Sequence, residues 1–88
     1  MKTLDETDLD VLDLCADRKR TAARIHVLLG GRVSYQAITL RIRTLEVLGY
    51  ISRKRLGRAA DCLTTTLGLV VLESRRPTAA ALVLVKIS

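Results

Sequence analysis

The chain has 88 residues, 49% of them apolar and none of them Trp or Phe, which limits it to one domain around an aliphatic core. A chain of this size buries only about 60–65% of its unfolded surface. Fifteen Lys and Arg against nine Asp and Glu give a formal charge of +6 and a pI near 10.0, favouring a polyanionic partner; from Cys15 and Cys62, far apart and without CxxC spacing, neither a zinc site nor a disulfide framework follows.

The chain opens on "LDETDLDVLDLCADRK". Leu9, Leu12 and Cys15, with Val11 and Leu14 widening the stripe, predict a helix over 8–17. Thr7 is its expected N-cap, and the acids of the first turn suit the positive end of the helix dipole. Cys15 falls on the apolar side as a small core residue. Arg18-Lys19-Arg20 is a polar break with two readings open, a backbone-phosphate contact or a solvated loop. Thr21 caps a second helix over 22–29 that buries Ile25, Leu28 and Leu29 and stops at Gly30-Gly31.

Ser34 caps a third helix over 35–48, terminated by Gly49. On it Ile38, Ile42 and Leu45 share one arc, flanked by Ala37, Arg41 and Leu48; Gln36, Thr39, Leu40, Arg43 and Val47 occupy the far side. From Tyr50 the period becomes two. "YISRKRL" and "DCLTTT" read as strands about a tip at Gly57-Arg58-Ala59-Ala60. Thr65 or Thr66 caps a fourth helix, "LGLVVLESRR", closed by Pro77. The final "AALVLVKIS" has the β-branched residues of a strand or extended arm, although Ala79 to Leu82 would also suit a helix.

Charge is distributed unevenly along this order. Asp5, Glu6, Asp8, Asp10, Asp13 and Asp17 crowd the start, whereas Arg18 to Arg58 holds eleven basic residues against one acid, Glu46. Three short helices, a glycine turn before the third and a basic hairpin after it describe a winged helix-turn-helix. The expected fold is mainly α with a small β-hairpin (α+β): a three-helix core plus wing, a fourth helix and a C-terminal arm. Residues 1–76 form the winged domain and 77–88 the apolar arm.

A B-form major groove about 12 Å wide admits one α-helix. Ser34, Tyr35, Gln36, Thr39, Leu40 and Arg43 are the expected groove-facing residues. Arginine suits guanine, glutamine suits adenine or a phosphate, and Leu40 suits a thymine methyl. Arg53, Lys54, Arg55 and Arg58 charge the wing that would follow the sugar-phosphate backbone. Arg41, near the core boundary, has two roles open to it, a phosphate contact or a pair with Glu46. Tyr50 packs at the strand entrance, and His26, the single histidine, reads as a packed or surface residue rather than a metal ligand.

"LDETDLDVLDLC", a capped second helix and "VSYQAITLRIRTLEVLGYI" together resemble the N-terminal DNA-binding domain of Lrp/AsnC-type regulators. The matching positions are Leu4, Asp5, Asp8, Val11, Leu12, Ser34, Ile38, Arg41, Ile42, Leu45, Glu46, Gly49 and Ile51, with Cys15 where that pattern has leucine. The resemblance covers residues 4 to 51. Beyond it, "RKRLGRAADCLTTTLGLVVLE" looks more like the wing and following helix of MarR- or PadR-like regulators.

The expected function is a sequence-specific, double-stranded DNA-binding transcription regulator. One recognition helix spans too few base pairs for a unique site, so a homodimer on a palindromic operator is expected. Leu69 and Leu72 of the fourth helix, with Leu82, Leu84 and Val85 of the arm, are the expected dimer contacts. With no residues for an effector domain, the expected mode is repression by occupancy. Two other readings stay open, a winged-helix protein-interaction adaptor and a nonspecific nucleic-acid-binding protein. No enzyme is expected, because no paired carboxylates, Ser/His/Asp set or phosphate-binding glycine loop is present. No cofactor or metal is expected either. The absence of a signal-peptide pattern and of an 18-residue apolar run points to the cytoplasm and to no membrane partner.

Overall fold

The computed structural model describes residues 4–56 and 59–76. Their order is α1 (Glu6–Leu14), α2 (Ala22–Leu28), α3 (Tyr35–Val47), β1 (Ile51–Leu56), β2 (Ala59–Thr64) and α4 (Thr66–Arg75). This is the α+β winged helix-turn-helix that the sequence predicts. Ala59 and Ala60 belong to β2 rather than to the tip, while Gly57 and Arg58 lie outside the described residues. So do the 77–88 arm and its Leu82, Leu84 and Val85.

α1 starts earlier than the apolar spacing implies, and its N-cap is Asp5, not Thr7. The Asp5 carboxylate accepts from the Asp8 amide at 2.9 Å, and the Asp8 carboxylate accepts from the Asp5 amide at 3.1 Å. This reciprocal capping box satisfies two amides that a lone Thr7 hydroxyl would leave open. At the other end the helix stops at Leu14, because the chain that follows is drawn into the sheet. The Arg20 amide donates to the Cys62 carbonyl at 3.1 Å and its carbonyl accepts from the Cys62 amide at 2.8 Å. Arg20 is therefore a one-residue third strand beside β2, not part of a free loop.

α2 is capped by Thr21 as expected, and only Ile25 within it is buried. Leu29 reaches the core just beyond its end, but Leu28 is 40% exposed. The buried stripe runs from Ile25 to Leu29, four positions on, and leaves Leu28 at its edge. Gly30 and Gly31 follow with φ of +67° and +73°, and their amides donate to the Val27 and His26 carbonyls. Two consecutive left-handed residues are the reason glycine is needed twice in the turn that sets the angle of α3. Ser34 caps α3, accepting from the Ala37 amide at 3.1 Å.

The core joins Leu9, Val11, Leu12 and Cys15 to Ile25 and Leu29, to Ile38, Ile42 and Leu45, and to Ile51, Cys62 and Leu72. Each fully buried Leu or Ile stabilises by about 1.5–3 kcal/mol. Leu72 is 6% exposed and belongs to this core, so it is not available as a dimer contact. Both cysteines are buried and unpaired; burial pushes the Cys15 thiol up to about 12. Tyr50 is half-buried against the core, at the strand entrance.

The hairpin pairs antiparallel, with Ile51 opposite Thr64, Arg53 opposite Cys62 and Lys54 opposite Asp61. Its base is fixed to α1. The buried Thr64 hydroxyl donates to the Leu12 carbonyl at 2.7 Å, and the Thr64 amide donates to the Cys15 carbonyl at 3.0 Å. Thr65 caps α4, accepting from the Gly68 amide at 3.1 Å while donating to the Gly49 carbonyl at 2.6 Å. The wing is thus held between α1, the end of α3 and the start of α4.

Candidate nucleic-acid interface

α3 buries one arc and leaves the other to solvent. Tyr35, Leu40 and Val47 are 50%, 62% and 86% exposed, and Ser34, Gln36 and Arg43 are exposed as well. Thr39 is half-buried, its hydroxyl donating to the Gln36 carbonyl at 2.8 Å. Tyr35 stands edge-on to His26, ring centroids 6.3 Å apart. All six groove-facing residues named from the sequence therefore lie at the first turns or on the open side of one helix.

Strand alternation divides the cations of the wing. Arg53 and Arg55 share the side of Ile51 that faces α3, and both line a cleft of about 550 Å³ with Tyr35, Thr39, Arg43 and Glu46. Its remaining wall is the N-terminal turn of α2, Thr21 to Ala23, with Ala59, Ala60, Ile42 and Cys62. Lys54 points the other way, in register with Asp61. The basic triplet is therefore not one patch.

The ion pairs explain which cations stay open. Arg41 takes neither of its two expected roles. Its Nη1 donates to both Asp5 carboxylate oxygens at 2.7 Å and to Asp8 Oδ1 at 3.1 Å, locking α3 onto the capping box of α1. The Arg41 hydrogen bond holds the Asp5 carboxyl below its ordinary value. Arg76 pairs with Glu6 and with Asp10 at 2.9 Å, and Arg32 lies 3.8 Å from Asp10. Asp5, Glu6, Asp8 and Asp10 are counterions for arginines of the fold, while Asp13 stays exposed. Arg43, Lys54 and Arg55 make no ion pair with any described residue. Arg53 does: its Nη2 is 2.9 Å from Glu46 Oε1, and that hydrogen bond raises the guanidinium pKa.

Two contributions escaped the sequence reading. Glu46 falls three residues after Arg43, on the stripe of Tyr35, Thr39 and Arg43, and that spacing was the available signal. The α2 turn at Thr21–Ala23 carries no charge, so nothing in composition marked it as a wall of the cleft. Among the described residues no three His, Cys, Asp or Glu side chains gather as a metal site, and no helix is long and apolar enough to cross a membrane.

The outward arc of α3, the hairpin beside it and the turn before it together define the winged helix class of fold. No protein-family model and no curated protein matches the sequence. Solved structures share the architecture. One mutant of Lactococcus lactis ZitR superposes with a TM-score of 0.72 at 24% identity, over 83% of this chain and 51% of that one. A second ZitR mutant gives 0.71 at 23%, over 84% and 51%. The chain thus spans about half the length of the ZitR chains it matches.

Proposed function

We propose that the chain is a sequence-specific, double-stranded DNA-binding transcription regulator, a homodimeric repressor that acts by occupying a palindromic operator. The observation that carries the reading is the open arc of α3 beside Arg43, Lys54 and Arg55, which pair with no acid among the described residues, while Asp5, Glu6, Asp8 and Asp10 at the start of α1 are taken up by Arg41, Arg32 and Arg76. Ser34, Tyr35, Gln36, Thr39, Leu40 and Arg43 read base edges, and Lys54 and Arg55, the wing cations without an ion pair to any described residue, grip the phosphate rail. The exposed Leu67, Leu69 and Val70 of α4, with the apolar arm after it, supply the twofold contact. Kinship with Lrp/AsnC-type regulators over residues 4 to 51, and with MarR- or PadR-like ones beyond, belongs to the same proposal.

The test is selection of bound sequences from a random duplex library at stated salt. A recovered palindrome is the expected result. Recovery of unrelated sequences would make the protein a nonspecific binder, and failure to retain any duplex would favour an interaction adaptor.

A further inference from the structure

We infer that Glu46 sets the strength of the DNA grip by withholding Arg53 from phosphate, an inference that rests on the function proposed above. Among the described residues lining the cleft between α3 and the wing, Glu46 is the one carboxylate, in the company of Arg43, Arg53 and Arg55. It accepts from Arg53 Nε at 3.1 Å and lies 2.9 Å from Nη2. Both side chains are about one-third exposed, 36% for Glu46 and 35% for Arg53. The pair is therefore within reach of a backbone phosphate.

A phosphate arriving at the wing must compete with Glu46 for Arg53, and the carboxylate released would then face the phosphate rail unneutralised. Arg55 and Arg43 meet no such competitor among the described residues. The two wing arginines on one face thus differ in kind: Arg55 is available to any duplex, and Arg53 is held back.

The 88-residue chain is titrated with a random-sequence duplex and with its selected duplex across a salt series. Glu46→Gln should bind both about fivefold tighter near 0.15 M salt and steepen the plot of log K against log salt by about one unit. Arg53→Gln alone should leave that slope nearly unchanged, and adding Glu46→Gln to Arg53→Gln should give no gain. A merely structural pair would not move the slope upward. Weaker binding by folded Glu46→Gln, a full unit of slope lost in Arg53→Gln, or a gain surviving in the double variant would each overturn the inference. Because the random duplex reports on Glu46 by itself, a wild type without sequence preference would sink the base-reading proposal and leave this test intact.

Discussion

In the proposed function, base reading depends most on Arg43. It projects from the open arc of α3, exposed and without an ion-pair partner among the described residues. Arg43→Ala should cost about 1–3 kcal/mol on the selected duplex and relax the preference at one base pair; competition titrations would show this, and an equal loss on random DNA would mean a phosphate contact instead. Gly68 is decisive for packing. A Cβ there would collide with the Tyr50 carbonyl and stand 2.7 Å from Thr64 Cγ2, and the carbonyl belongs to backbone that also accepts from the Thr65 amide. Gly68→Ala should destabilise by about 1–3 kcal/mol, read as a lower thermal midpoint. No change would mean that α4 is free to shift.

Among the elements, the wing is where charge and geometry part company. Arg53, Lys54 and Arg55 are contiguous in sequence, yet the pleat turns Arg55 toward α3 and sets Lys54 beside Asp61. Arg55→Gln should flatten the salt dependence by about one unit, and Lys54→Gln should flatten it less. Equal effects would show that the hairpin lies flat on the backbone, presenting both faces. α3 itself was legible at sequence level, because Ser34, Gly49 and the Ile38–Ile42–Leu45 arc each mark it independently. α2 was less so: Leu28 and Leu29 both fall near the arc of Ile25, and only the packing of the other elements decides that Leu29 is buried and Leu28 is left outside.

At the scale of the molecule, ion pairs tie three helices together at the start of α1: Arg41 from α3 reaches Asp5 and Asp8, and Arg76 after α4 reaches Glu6 and Asp10. The arrangement has a pH signature. Asp5 has its carboxyl lowered in the folded state, first by the Arg41 hydrogen bond, from an ordinary 3.8. Its contribution is complete above the unfolded value and is lost as pH falls from about 4 through the lowered folded value. Asp5→Asn should therefore be less stable near pH 7, by about 0.2–1 kcal/mol since Asp5 is largely exposed. It should also lose less on acidification below pH 4 than the wild type does. Melting curves between pH 2.5 and 7 check this; parallel profiles would show that the pair is not formed in solution.

The sequence by itself determined the elements, their order and the open face of α3, because caps, glycines and apolar periodicity act over a few neighbouring residues. Only the tertiary structure decided the partners of the charges. Arg41 meets Asp5 across 36 positions, Arg20 joins β2 at Cys62, and Glu46 claims Arg53 rather than Arg41. Electrostatic pairing depends on distance in space, and chain connectivity sets that distance only after the core has closed.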